Sequence, residues 1–189
     1  MNDPILSEQE VIDQEEIGES VQPGTDAVDQ AVEAWRRERP DVDITPFAVV
    51  ARVTRLARIW NSEIAEFFAE HDLDLGEADV LTTLRRAGAP YELTAGALVR
   101  ASMVTSGAIT KRIDRMTAKG LLTRVPPTTD RRTVLIRLSP RGKEVIDDLF
   151  ADHIANNARL LQPLDRARTE QLADALRTLL RFLGDTSLT

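Results

Sequence analysis

Residues 93–143 are punctuated so closely that few topologies can accommodate them. Thr94 is a capping residue ahead of a short helical run through Leu98, and Ala101-Ser102-Met103 turns the chain. A second helical pattern extends over 105–119 and stops at Gly120, a residue that closes helices in the left-handed conformation. Two β-like runs follow, over 121–125 and 133–138, joined by Pro126-Pro127-Thr128-Thr129-Asp130-Arg131-Arg132. Prolines and polar residues between such runs predict a hairpin with an exposed tip. Helix, turn, helix and hairpin, in that order, make a winged helix-turn-helix.

The flanks are helical. Thr25 or Asp26 caps a first short helix carrying Val28, Val32 and Trp35, which Pro40 must end. Thr45-Pro46 opens a long amphipathic helix over 45–71, with Phe47, Val50, Thr54, Ala57, Ile64 and Phe67 at three- and four-residue steps. A third helix, over 76–87, carries Val80, Leu81 and Leu84 and is closed by Gly88-Ala89-Pro90. Ser139-Pro140 repeats the cap-plus-proline start for a helix bearing Val145, Ile146, Leu149, Phe150, Ile154 and Leu161. Asp165 caps a last helix with Leu172, Leu176, Leu179, Leu180 and Leu183. These stripes exceed what one small lobe can cover, so they are expected to bury each other across a two-fold axis in a homodimer. The fold class is mainly α with a small β-hairpin wing (α+β), the winged helix-turn-helix lying between N- and C-terminal dimerisation helices.

Charge is segregated in the same stretch. Residues 93–143 hold 11 Lys and Arg against only Asp114 and Asp130, inside a chain whose formal net charge is -7. Local concentration of cations sets the local field, and a basic island of this kind points to nucleic acid. Projected as a helix, 105–119 turns Ile109, Ile113 and Met116 to one face and Gly107, Thr110, Lys111, Asp114 and Arg115 to the other. Gly107 permits close approach, Thr110 can bond a base edge, Lys111 and Arg115 can reach guanine or phosphate, and Ser106 at the boundary can bond phosphate. At the hairpin tip Arg131 and Arg132 are placed for a minor groove or its phosphates, with Asp130 holding the turn. The expected partner is double-stranded DNA bearing a pseudo-palindromic operator.

Arg112 leans to the packed side of that helix, three residues after Ile109 and four before Met116. A guanidinium there needs a partner, because unpaired burial is expensive. Arg124 in the first wing strand and Asp79 in the preceding helix are candidates for a shared network. Asp79 also reads as a plain first-turn carboxylate favoured by the helix dipole.

Several function classes are excluded. The chain has no cysteine, and its two histidines, His71 and His153, lie on separate predicted helices, so disulfides and a metal centre are not expected. Asp72 and Asp74 flank Leu73 in a loop and do not form a paired acid and base; neither a phosphate loop nor a nucleophile constellation appears, so no enzyme and no cofactor are expected. No apolar run is long enough for a span, and no cation precedes Arg36, so a membrane location and a signal peptide are not expected and the protein reads as cytoplasmic. Residues 1–25 carry Asp3, Glu8, Glu10, Asp13, Glu15, Glu16 and Glu19 without a balancing cation and read as a disordered acidic tail. An alternative to a DNA-binding role is therefore a dimeric protein-interaction module whose acidic tail binds a partner.

From about Trp35 onward the chain resembles the MarR (multiple antibiotic resistance regulator) family of transcription factors. The family's wing signature, Asp-x-Arg followed after five residues by Leu and Ser or Thr, is met by Asp130, Arg132, Leu138 and Ser139. Leu93-Thr94 and Lys119-Gly120-Leu121 are similar too. The resemblance implies a MarR-like domain over 26–189: an extra helix at 26–39, dimerisation helices at 45–71 and 139–184, and the winged helix-turn-helix at 76–138. It extends to the subgroup with an extra N-terminal helix that responds to urate or xanthine. In that subgroup a tryptophan, an aspartate and two arginines are implicated in ligand sensing; by position these are Trp35, Asp79, Arg112 and Arg124, which favours the network reading of Asp79. The resemblance thus implies a repressor released from DNA by a small anionic aromatic effector such as a purine.

Overall fold

A computed structural model describes residues 24–102, 109–126 and 134–187. The chain divides into two compact units, Met1–Leu56 and Ala57–Thr189, so the division of the span 26–189 falls inside a helix. The expected acidic tail lies outside the described residues up to position 23.

In the first unit, α1 (Ala27–Glu38) starts at a capping box: the Asp26 side chain accepts from the Val28 and Asp29 amides, and the Asp29 carboxylate accepts from the Asp26 amide. Val28 and Val32, one turn apart, form its buried stripe. The helix ends at Glu38, two residues before Pro40. The first half of α2 (Thr45–Ala69) follows, and its Arg52 bridges Asp26 and Asp29 at 2.8 and 2.7 Å. That helix stops at Ala69, two residues short of the expected end.

The second unit is organised around α3 (Leu75–Arg86), whose Val80, Leu81 and Leu84 are almost fully buried. After it come β1 (Glu92–Thr94), α4 (Ala95–Ala101), α5 (Ile109–Ala118), β2 (Leu122–Val125), β3 (Leu135–Leu138), α6 (Pro140–Leu160) and α7 (Arg166–Phe182). Thr94 Oγ1 accepts from the Ala97 amide, Ser139 Oγ from Gly142 and Asp165 from Arg168, so these three expected caps are in place, whereas Thr45, expected as the cap of α2, lies within that helix and donates its amide to Asp43 Oδ1 at 3.0 Å. α5 closes at Gly120, whose φ of 72° is left-handed; the following amide, Leu121 N–H, donates back to Met116 O.

The hairpin is part of a three-stranded antiparallel sheet in the order β1-β3-β2, with Leu93 and Arg124 opposite Ile136 on either side. β1 was not expected: its three residues are too few to show alternation, and Thr94 is both strand end and helix cap. The tip of the hairpin, including Asp130, Arg131 and Arg132, lies outside the described residues. The core of the unit joins Phe68, Leu81, Leu84, Leu98, Ile113, Met116, Leu122, Ile136 and Ile146. By contrast α7 buries no residue, and Phe150, Ile154, Leu179, Leu180, Phe182 and Leu183 are all exposed. No described helix is long and apolar enough to cross a membrane.

Candidate nucleic-acid interface

Helix α5 is seated by Ile113 and Met116, which are buried, with Ile109 partly so. Thr110, Lys111 and Asp114 are consequently turned to solvent, and all three are exposed. Among the described residues Lys111 has no carboxylate partner, whereas Asp114 pairs with Arg124 of β2. Ser106 and Gly107, expected at the start of this helix, lie outside the described residues.

The other cations of α5 point elsewhere. Arg115, expected on the open face, directs Nε to Glu77 Oε1 at 2.7 Å and Nη2 to Asp74. Lys119 donates to the Asp72 carbonyl at 2.6 Å and lies 3.2 Å from Glu77 Oε2. Arg112 rests against α3: a Cβ added at Gly76 would fall 2.3 Å from its Cζ. Its Nε stands 3.8 Å from Asp74 Oδ1 and has no hydrogen-bond partner. Arg112, Arg115 and Lys119 thus run down one flank of the helix onto a single acidic corner at the start of α3.

Glu77 is the centre of that corner. It is 1% exposed, and it also closes the α3 capping box, accepting from the Asp74 amide at 3.1 Å while Asp74 accepts from the Glu77 amide at 2.7 Å. Burial alone would raise its carboxyl pKa; hydrogen bonds from Arg115, the Asp74 backbone and Lys119 outweigh burial and hold it below the ordinary value. Arg115 is raised in return by its Glu77 bond, and Lys119 is raised by Glu77 and Asp72 against the opposing effect of burial. The signal for this corner was the Asp74-x-x-Glu77 spacing, a capping box that starts the helix at Leu75, one residue ahead of the expected start.

Of the four residues expected in ligand sensing, Trp35 belongs to the first unit, half-exposed beside a hollow of about 220 Å3 lined also by Arg39, Val42, Ile44 and Phe47. Asp79 is half-buried on α3, and its carbonyl accepts from Thr82 Oγ1 at 3.0 Å. Arg112 is inward, as its position between Ile109 and Met116 implied, with 19% of its side chain exposed. Arg124, expected to join Arg112 and Asp79, is paired with Asp114, because β2, the first wing strand, lies beside α5.

Much of the remaining basic island is also neutralised from outside it. Arg137 pairs with Glu92 of β1, and Lys143 with Asp147, which Arg85 of α3 also contacts. Arg141 donates to the Lys119 carbonyl at 3.1 Å. Among the described residues of the island, Arg100, Lys111 and Arg141 are left without a carboxylate partner.

Comparison with known proteins places this arrangement. Residues 71–133 match the model of the MarR family. The HTH-type transcriptional regulator PecS of Dickeya dadantii is 35% identical over 145 residues, spanning 77% of this chain and 87% of that protein. Sco3205, a MarR family transcriptional regulator from Streptomyces coelicolor solved in complex with DNA, superposes with a TM-score of 0.68 at 14% identity, over 75% of this chain and 89% of that one. Bordetella bronchiseptica BpsR, whose DNA binding is regulated by 6-hydroxynicotinic acid, superposes with a TM-score of 0.61 at 22% identity, over 74% of this chain and 94% of that one.

Proposed function

The chain belongs to the MarR family of transcriptional regulators, and we propose that it is a homodimeric repressor that binds a pseudo-palindromic operator and is released by a small anionic aromatic ligand such as urate or xanthine. The observation that carries the DNA reading is the open face of α5: Thr110 and Lys111 stand exposed on a helix whose opposite face is locked by Ile113 and Met116. Ser106 and Gly107 ahead of them and Arg131 and Arg132 at the wing tip complete the proposed contact set. The uncovered apolar residues of α6 and α7 support the dimer, because that much exposed aliphatic and aromatic surface calls for a partner face.

Arg112 supports the ligand reading. A buried guanidinium nitrogen without a hydrogen bond, beside one carboxylate at 3.8 Å, retains capacity for an anion. Trp35, Asp79 and Arg124 remain the other proposed sensing residues, Arg124 by exchange with Asp114. A ligand acts here only through different affinity for the two arrangements of α5.

Fluorescence anisotropy on the duplex upstream of the chain's own gene tests the proposal. Affinity falls steeply with salt, and Lys111→Ala reduces the magnitude of the salt slope by about one, the value for one phosphate contact. Urate or xanthine releases the wild-type complex, and Trp35→Ala or Arg112→Ala abolishes that release. Absent or salt-insensitive binding would refute the DNA reading and favour the protein-interaction alternative; unchanged release in both variants would refute the sensing residues.

A further inference from the structure

The corner at the start of α3 gathers three cations and three carboxylates. Three cations at positions 112, 115 and 119 occupy one flank of α5, and Asp72, Asp74 and Glu77 meet them from the loop and first turn of α3. Arg115 reaches two different carboxylates with separate nitrogens, which fixes both the position and the roll of α5. Glu77 is the part that cannot be replaced by solvent: it is buried, it takes Arg115 on one oxygen and Lys119 on the other, and the second oxygen also serves the α3 cap. Loss of its charge would leave two cations facing a buried neutral group.

We infer that Arg115 and Lys119 are positioning residues and not DNA-contacting cations: Glu77, with Asp74, clamps them and so sets the angle at which α5 is presented, giving a buried carboxylate control over operator affinity without touching DNA. This rests on the DNA-binding reading. It departs from the assignment of Arg115 to the open face of the helix, since its guanidinium is held against α3.

The salt dependence of operator binding separates the two roles, because a phosphate contact contributes to the slope and a positioning residue does not. Dissociation constants for wild type, Lys111→Ala, Arg115→Gln, Arg115→Lys, Glu77→Gln and the Glu77→Gln/Arg115→Gln double variant are measured against salt, on the operator and on a scrambled duplex, with thermal melts alongside. Arg115→Gln and Glu77→Gln each weaken operator binding about tenfold, typical of a coupled contact, at every salt concentration and with the wild-type slope. The double variant is no worse than either single one, and Arg115→Lys restores part of the loss. If Glu77→Gln does not fold, Arg115→Gln carries the test alone, since that side chain is half-exposed. A slope reduced by about one in Arg115→Gln, as in Lys111→Ala, overturns the inference, as does wild-type affinity in Glu77→Gln. If wild type shows no salt-dependent binding while melting cooperatively, the DNA reading itself fails and the inference falls with it.

Discussion

Gly142 should not tolerate a methyl group. It is buried in the first turn of α6, and a Cβ built on it lies 2.1 Å from the carbonyl oxygen of Leu121 and 2.9 Å from its carbon. That carbonyl is fixed: it accepts from the Ser139 amide at 3.0 Å, while Ser139 Oγ donates to Gly120 O at 2.6 Å and accepts from the Gly142 amide at 2.9 Å. Relief requires a shift of about 1 Å in backbone on both sides of the seam between the end of α5 and the start of α6. Overpacking of this kind costs about 1–3 kcal/mol, and each seam hydrogen bond that lengthens adds about 1 kcal/mol. Alanine returns up to about 1 kcal/mol through helix propensity, which leaves Gly142→Ala about 2–4 kcal/mol less stable. For a chain of this size that is a fall in Tm of about 5–15 °C, read by circular dichroism. Gly76→Ala is the internal control. The three atoms nearest its Cβ, at 2.3 to 2.5 Å, all belong to the guanidinium of Arg112, the far end of a flexible side chain, so the arginine can swing away. That variant should stay within about 1 kcal/mol of wild type. A Gly142→Ala protein melting within about 2 °C of wild type would refute the argument.

His153 packs at a tilt against Phe67 and Phe68 with ring centroids 5.9 and 5.0 Å away, and burial lowers its pKa from the ordinary 6.5. The unfolded chain therefore takes up the proton first: stability is complete above pH 6.5, declines as pH falls below it toward the folded value, and melting curves of His153→Phe should lose that dependence. The lowered Glu77 carboxyl predicts a separate acid limb, with its stabilisation present above the ordinary 4.5 and lost as pH falls through the folded value; Glu77→Gln should flatten this limb. Leu179→Glu should shift the protein from dimer to monomer in sedimentation without lowering helix content, because α7 contributes no buried residue to its own chain. A Leu179→Glu protein that remains dimeric would exclude that face from the interface.

Local chemistry explains why the element order was legible and the charge balance was not. Asp26, Thr94, Ser139-Pro140 and Asp165 act within three residues of themselves, so their caps could be read directly, and Ile113 and Met116 are buried because helical spacing puts them together. β1 depends on β3 more than 40 residues away in the chain, and three residues carry no periodic signal. The partners of the basic island have the same character. Asp74 and Glu77 reach Arg115 across 41 and 38 residues, and Glu92 reaches Arg137 across 45. Counting charges within 93–143 therefore left out the carboxylates that α3 and β1 bring to it. A field argument made on sequence neighbours is sound only where the fold adds no opposite charge. On α5 the rule divides the helix along its length: Lys111 lies on the open face, where Asp114 is taken by Arg124, and keeps its charge for an external anion, whereas Arg115 faces Glu77 and cannot serve both without releasing a buried carboxylate. A salt titration counts the cations that neutralise phosphate, so its slope should fall short of the number of lysines and arginines in the island.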